Sequence, residues 1–90
     1  MNVAERLKRK LEAAFAQAEI EVVDESHLHA GHAGARPEGE THFRVTVVSP
    51  AFEGQSRVAR ERAVHKAVAE ELAGPVHAFA VKAVAPGERG

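Results

Sequence analysis

The 90-residue sequence contains no cysteine, no tryptophan and no tyrosine. The lack of cysteine excludes a disulfide-stapled scaffold, a Cys-ligated zinc site, a thiol nucleophile and an iron–sulfur cluster held by the chain's own thiolates. Net charge is small, since 12 Lys and Arg residues face 13 Asp and Glu residues, and this argues against nucleic-acid binding by bulk electrostatics. Long apolar runs and a signal-peptide pattern are missing, so we expect a soluble, cytoplasmic protein that does not enter a membrane.

Sequence signatures of enzymes are also missing. The chain has no G-x-S-x-G elbow, no P-loop and no dinucleotide-binding fingerprint. Ser26 and Ser49 lack a recognisable base and a residue to orient it. We therefore expect a non-catalytic protein.

Hydrophobic periodicity predicts the order helix, strand, strand, helix, strand. The predicted helices cover residues 2–18 and 56–72, and the predicted strands cover residues 19–24, 41–49 and 76–84. In the helices the apolar residues recur at i, i+4 and i+7, whereas in the strands they alternate with polar residues. This order predicts an α+β fold, a two-layer sandwich with a three-stranded mixed sheet and helices on one face.

Three segments connect or follow these elements. Residues 25–40 hold three histidines and little apolar bulk, and a loop of that length is usually functional or disordered. In the connector over residues 50–55, we expect Phe52 to reach the core and Gly54 to supply a turn with positive φ. Residues 85–90 are expected to form a flexible C-terminal tail after a single domain over residues 1–84.

Six histidines are the unusual feature of the composition. His27, His29 and His32 lie in the 25–40 loop as H-x-H-x-x-H, where they are either solvated or ligands for a metal. His77 begins the last strand, so its backbone is expected to be well fixed and it could form a metal clamp with the loop. For His42 and His65, the sequence favours structural roles over ligand roles.

The second helix begins with a basic half and ends with an acidic one. Its cations are Arg57, Arg60, Arg62 and Lys66, which either contact phosphates or form a solvated face. Glu70 and Glu71 follow at the other end. This order opposes the helix macrodipole, which favours acidic residues first.

Four landmarks in order resemble the BolA family. The matching segments read EVVDESHLHAGH, ETHFRVTVVSPAFEG, AEEL and GPVHAFAV. The landmarks are Asp24-Glu25-Ser26, His42-Phe43, Phe52-x-Gly54 and Val76-His77-Ala78. The resemblance covers residues 3 to about 84 and implies a fold similar to the class II KH domain, so that residues 1–84 form one BolA-like domain.

The resemblance also implies a function. BolA-like proteins pair with monothiol glutaredoxins in handling [2Fe–2S] clusters, and some are linked to transcriptional control of cell shape and stress responses. The family's C-terminal ligand histidine corresponds to His77. Its loop ligand corresponds to His29 when counted from Asp24 and to His32 when counted from His42, and we prefer His32.

We therefore expect an adaptor that shares a [2Fe–2S] cluster with a glutaredoxin and its glutathione, and that is a monomer or weak homodimer when alone. The alternative is a DNA-binding regulator that uses the basic helix. Two departures from the family bear on these expectations. The usual Arg-His-Arg reads Arg60-Glu61-Arg62, and the G-x-x-G loop of KH domains is incomplete, which does not support RNA clamping by that route.

Overall fold

The computed structural model describes residues 2–25, 42–74, 76 and 78–88. The helices are α1 (Val3–Ala14), α2 (Arg57–Ala67) and α3 (Ala69–Ala73), and the strands are β1 (Glu19–Asp24), β2 (His42–Val48) and β3 (Ala78–Val84). Two 3-10 helices complete the set, the connector turn (Pro50–Phe52) and the C-terminal turn (Pro86–Glu88). No helix in the described ranges combines the length and apolar character that a membrane span requires.

The three strands form one mixed sheet in the order β1-β2-β3. β1 pairs with β2 in antiparallel fashion and β2 pairs with β3 in parallel. Val45 at the centre of β2 is opposite Val22 on one side and Val81 on the other. The predicted strands and the mixed character of the sheet are confirmed.

One face of the sheet is covered by the helices. Alternate side chains of β2 pack into a single core with apolar residues of α1 and α2, while Arg44 between them is exposed. The central members of this core are Phe43, Val45, Val47, Leu7, Leu11, Val64 and Val68. The α+β two-layer arrangement is therefore confirmed, and the likeness to class II KH domains stays a prediction.

Helix α1 is shorter than its apolar pattern predicts. It begins as expected, with the Asn2 side chain accepting a hydrogen bond from the Glu5 N–H at 2.8 Å. It ends at Ala14, because Phe15 is extended and Gln17 takes a left-handed φ of 51° as the chain turns into β1. The Phe15 ring then packs 4.9 Å from Phe52, measured between ring centroids.

The connector after β2 has the two features expected of it. Phe52 is completely buried in the core, and Gly54 has a φ of 77°, which side-chain-bearing residues rarely adopt. The connector turn is capped by Ser49, whose Oγ accepts a hydrogen bond from the Ala51 N–H at 3.1 Å. Both predictions for the connector are confirmed.

The second predicted helix is two helices. Val68 leaves the helical region, with φ −118° and ψ 28°, and separates α2 from α3. Glu70 and Glu71 consequently lie in the first turn of α3, where the macrodipole stabilises acidic side chains. The expectation that they oppose the dipole at the end of a long helix is wrong for this reason.

Glu71 is a fully buried carboxylate that joins α3 to α1. Its Oε2 lies 2.9 Å from Arg6 Nη2 and 2.9 Å from Lys10 Nζ. Burial raises the pKa of the Glu71 carboxyl, but hydrogen bonds from Lys10, from the backbone and from Arg6 outweigh burial and hold that pKa below its ordinary value. The sequence pattern predicted only an acidic helix end, and it gave no sign of these buried ion pairs.

Ser49 has a structural role and offers a first testable prediction. Its buried Oγ donates to the Ala16 carbonyl at 2.7 Å and also caps the connector turn. We expect Ser49→Ala to lower the free energy of unfolding by about 2 kcal/mol, since the hydrogen bond from the buried Ser49 hydroxyl to Ala16 is lost in addition to the cap. The matched variant Ser56→Ala loses only the exposed cap of α2 and should cost about 1 kcal/mol. Equal losses in urea titrations would contradict the role of the Ala16 contact.

The structure differs from the expected tail at residues 85–88. Ala85 is buried at 2% exposure, and Pro86–Glu88 form the C-terminal turn. The Glu88 carboxylate binds Arg60 of α2, which attaches this turn to the domain. An ion pair between residues so far apart in sequence leaves no periodic signal, so the composition of residues 85–90 suggested only a loose end.

Candidate functional site

The histidines proposed as metal ligands, His29, His32 and His77, lie outside the described residues, as does His27. Among the residues that the structure does describe, no three His, Asp or Glu side chains are grouped so that they could hold a metal ion. The described structure therefore bears on the site through the residues that flank the four histidines.

Both flanks of the histidine segment emerge at one end of the sheet. Asp24 at the end of β1 is opposite Phe43, and the Glu25 N–H donates to the His42 carbonyl at 2.8 Å. His42 is in turn opposite Ala78, the first residue of β3. Adjacent strands lie about 4.8 Å apart, so Glu25, His42 and Ala78 fall within roughly 10 Å of one another.

The residues on either side of position 77 are firmly held. Val76 is buried, and its N–H donates to the Glu71 carbonyl at 3.1 Å. Ala78 is in register with His42 in the parallel β2–β3 ladder. These contacts fix the backbone immediately before and after His77.

An ion pair lies beside this end of the sheet. Arg44 Nε is 3.3 Å from Glu25 Oε2, and the Arg44 side chain points to the face that the helices do not cover. The pair is substantially exposed, so its contribution to stability is small. The pair therefore places the Arg44 cation next to Glu25, the residue that directly precedes segment 26–41.

His65 is an exposed residue of α2 with one ring contact. Its imidazole packs 5.6 Å from the Phe79 ring, measured between centroids. The sequence predicted a structural role for His65, and this ring contact agrees with it. Phe79 is the second residue of β3, so His65 lies near the start of that strand.

The four cations predicted as a phosphate-binding group are not equivalent. Arg57 Nε lies 2.9 Å from Glu61 on an exposed surface, whereas the Arg60 side chain is only 11% exposed. Arg62 and Lys66 are exposed and, being four residues apart, share another stripe of the helix. α2 therefore divides the four cations between surfaces.

Arg60 joins four parts of the domain. Its Nε donates to the Gln55 carbonyl at 3.0 Å, and Nη1 donates to the Ala83 carbonyl at 3.2 Å. Both terminal nitrogens bind the Glu88 carboxylate, with Nη2 at 2.8 Å from Oε2. These hydrogen bonds, together with one from the Ala85 N–H, lower the pKa of Glu88 to about 2.

This geometry makes Arg60 a residue that lysine cannot replace. We expect Arg60→Lys to lower the thermal unfolding midpoint by roughly 5 °C, because an ammonium cannot reach two carbonyls and both carboxylate oxygens at once. Arg62→Lys on the exposed stripe is the matched control and should leave the midpoint unchanged. Equal midpoints for the two variants would show that the Arg60 contacts are not made in solution.

Comparison with known families decides the identity of this fold. The family model described as "BolA-like protein" matches residues 11–88. The chain belongs to the BolA-like family. The family match extends to Glu88 and so includes the C-terminal turn of this BolA-like chain.

Relatives support the same assignment. BolA-like protein 1 of Mus musculus is 50% identical over 82 residues, which cover 91% of this chain and 57% of the mouse protein. The chain thus spans little more than half the length of that curated relative. The solved structure of BolA1 from Arabidopsis thaliana is 34% identical, with a TM-score of 0.86, and the match covers 100% of this chain and 99% of that one.

A third relative is one domain of a larger protein. The BolA domain of SufE1 from Arabidopsis thaliana is 40% identical with a TM-score of 0.82, and the match covers 96% of this chain and 94% of that structure. The α+β architecture of this BolA-like chain is therefore also found in a relative where it forms one domain of a larger protein.

Proposed function

We propose that this BolA-like chain is a non-catalytic adaptor that binds a monothiol glutaredoxin and shares a [2Fe–2S] cluster with it, for iron–sulfur trafficking or iron sensing. The observation that carries the proposal is the convergence of both flanks of segment 26–41 with the start of β3. That segment holds His29 and His32, and His77 directly precedes β3. The topology thus supports imidazoles of distant sequence positions acting together.

The donor chemistry supports a shared cluster rather than one held by this chain alone. With no cysteine in 90 residues, the chain can offer imidazole nitrogen but no thiolate. A glutaredoxin and its glutathione would supply two thiolates, and His77 with His32, or alternatively His29, would supply the remaining two ligands. The cluster is cargo that passes between the partners.

Mixed ligation has two chemical consequences. Imidazole in place of thiolate raises the reduction potential of a [2Fe–2S] cluster, as in Rieske centres. Because a protonated imidazole cannot bind iron, the shared cluster should also be lost on acidification. Both properties suit a cluster that is transferred or that reports on conditions in the cell.

The SufE1 relative gives independent support for an iron–sulfur context. Its BolA domain is joined to a SufE-like protein and has the same fold as this chain. The cytoplasmic location expected from the sequence stays a prediction, because two relatives from Arabidopsis thaliana, the SufE-like protein 1 and BOLA1, are named after chloroplasts or mitochondria.

DNA binding is the second candidate, and the structure offers it less support. Arg60 is bound to Glu88 and to two carbonyls, and Arg57 is paired with Glu61. Arg62 and Lys66 remain exposed, but two cations on one helical stripe make a small phosphate-binding surface. A gel-shift series with duplex DNA at increasing salt tests this candidate, because phosphate contacts predict a steep loss of affinity.

The adaptor proposal is tested by mixing the chain with a glutaredoxin that carries its cluster and glutathione. We expect the two proteins to co-elute in size-exclusion chromatography and the visible absorption and circular dichroism of the cluster to change. A variant with His29, His32 and His77 all replaced by alanine is the control and should leave the spectra as they are for glutaredoxin alone. Unchanged spectra with the parent chain would reject the proposal.

A further inference from the structure

A carboxylate of the chain itself occupies a site with the features of an anion receptor. The Glu88 carboxylate receives both terminal nitrogens of Arg60, with Nη2 2.8 Å from Oε2, and the Ala85 N–H donates to Oε1 at 3.2 Å. A two-pronged guanidinium joined by a backbone N–H is an arrangement that proteins use for carboxylates and for phosphates. The chemistry of the receptor therefore admits either anion.

The receptor does not depend on Glu88 for its shape. Arg60 is held separately by the carbonyls of Gln55 and Ala83, at 3.0 and 3.2 Å. Its guanidinium also lies over the buried Phe52 ring, 6.0 Å from the centroid. Held by these contacts, Arg60 would keep its position if the carboxylate left, so little ordering entropy would oppose a replacement anion.

The receptor opens onto a groove between α2 and β3. The groove has a volume of about 520 Å³, and its lining includes Arg57, Arg60 and Lys82 against a single carboxylate, Glu61. The lining is completed by Gln55 and the β3 residues Val81, Ala83 and Val84. Glu88 does not line the groove but binds Arg60 at its edge, and 46% of the Glu88 side chain is exposed, so an incoming anion could reach the ion pair from solvent.

We propose that the Arg60 guanidinium and the groove it lines form a phosphate-binding site, and that Glu88 occupies the guanidinium until a phosphate group displaces it, so that the C-terminal turn Pro86–Glu88 acts as a latch. A phosphate monoester carries more charge than one carboxylate and has three strong acceptor oxygens, enough for the Arg60 fork, the Ala85 N–H and a cation on the groove rim. The phosphate group comes either from such a small phosphorylated molecule or from a nucleic-acid backbone, where each diester carries a single charge and several diesters would have to bind together.

This site is separate from the proposed cluster site. The groove lies beside the last residues of β3, Val81 to Val84, whereas the cluster ligands are expected at the opposite end, before Ala78. The distance from Ala78 to these residues is three to six residue steps of a strand, or about 10 to 20 Å. Phosphate binding and cluster sharing can therefore succeed or fail independently in experiments.

Titration with inorganic phosphate at constant ionic strength, followed by ¹H–¹⁵N NMR, tests the latch. In Glu88→Ala we expect saturable shifts confined to the Ala85 amide, the Arg60 Nε–H and their neighbours, with a dissociation constant about tenfold lower than in the parent chain. Glu53→Ala removes an exposed carboxylate elsewhere and should behave as the parent does. In the double variant Glu88→Ala with Arg60→Lys, the gain in phosphate affinity should be abolished.

The variants must retain the fold for the result to count. Glu88→Gln is the second variant, since it keeps the size of the side chain while removing the charge that excludes phosphate. It should show a smaller gain in phosphate affinity than Glu88→Ala. Dispersed amide spectra of each variant establish that the domain is folded. Phosphate affinities that are equal in Glu88→Ala and Glu53→Ala, or a gain that survives Arg60→Lys, would overturn the proposal.

A second arm identifies the source of the phosphate. A fluorescein-labelled single-stranded oligonucleotide of 12 nucleotides (the 12-mer) is titrated with the Glu88→Ala variant at several salt concentrations. If the groove takes a nucleic-acid backbone, the logarithm of the affinity should fall with the logarithm of the salt concentration with a slope of about two or more, because Arg57 and Lys82 also contact phosphates. Inorganic phosphate should then compete poorly. If the groove takes a small molecule, inorganic phosphate should bind at least as well as the 12-mer. Absence of binding to both probes would reject the latch.

Discussion

Replacing His77 by alanine is expected to shorten the lifetime of the cluster shared with a glutaredoxin by at least about tenfold, which makes His77 the most sensitive of the proposed ligands. The backbone around His77 is fixed by the buried Val76 and by the pairing of Ala78 with His42. A ligand on a fixed backbone loses little conformational entropy on binding, so its removal costs more than that of a ligand on a long glycine-containing segment.

The comparison uses visible circular dichroism and cluster decay with glutaredoxin and glutathione held constant. His32→Ala should change the spectrum but leave weak binding, because His29 lies three residues away and can substitute. Replacing both loop histidines should remove imidazole ligation from the loop altogether. His65→Phe is the matched control, since it keeps a ring against Phe79 but has no nitrogen ligand, and it should behave as the parent chain does. A His77→Ala spectrum that matched the parent would contradict the ligand assignment.

The second large effect concerns the buried carboxylate of α3. We expect Glu71→Ala to lower the free energy of unfolding by about 3 kcal/mol, since it leaves Arg6 and Lys10 without their common partner and opens a space in the interior. Domains of this size have a total stability of only about 5–10 kcal/mol, so much of the stability would be lost. Urea titration at neutral pH measures the difference.

Glu70→Ala provides the comparison for this prediction. Glu70 precedes Glu71 in the same helix and its carboxylate is 3.6 Å from Lys10 Nζ, but its side chain is 83% exposed. We expect a loss of less than about 0.5 kcal/mol for this variant. Similar losses in the free energy of unfolding for the two variants would show that the buried Glu71 carboxylate stabilises the fold no more than the exposed Glu70 does.

The same carboxylate makes stability fall in acid. The pKa of Glu71 in the folded chain lies below its ordinary value of 4.5, so its contribution is complete above that pH and is lost as pH falls through the folded-state pKa. The Glu88 pKa of about 2 has the same direction. We therefore expect stability to decline below pH 4.5, and Glu71→Gln to reduce the steepness of that decline without removing it.

Local periodicity accounts for the parts of the fold that were predictable. Alternation of Phe43, Val45 and Val47 with polar residues identified β2, and the same reasoning identified β1 to the residue. The isolated Phe52 was correctly placed in the core because a large aromatic residue in a short connector has few other places to pack.

The failures share a different physical origin. Glu71 with Lys10 and Arg60 with Glu88 are ion pairs between residues far apart in sequence, and charged residues on helices normally face solvent. The break at Val68, three residues before the buried Glu71, is likewise absent from the helical pattern of the sequence. Periodicity describes one element at a time and carries no information about such pairs.

The candidate site was predictable to a different degree. Residue types and the family resemblance singled out His29, His32 and His77, and these assignments stay predictions because the three residues lie outside the described ranges. What the structure adds is the convergence of their flanks at one end of the sheet. It also gives Arg60, which the sequence suggested as a phosphate contact, a position inside the domain's own ion-pair network.

The central claim is that imidazole nitrogens of this chain bind the iron of a shared [2Fe–2S] cluster. The most direct test is pulsed electron paramagnetic resonance of the reduced cluster in a complex of unlabelled glutaredoxin with the chain labelled only at histidine with ¹⁵N. The account predicts strong ¹⁵N couplings from two ligand nitrogens, one of which disappears in His77→Ala. A stable complex whose reduced cluster shows no strong ¹⁵N coupling would contradict the account.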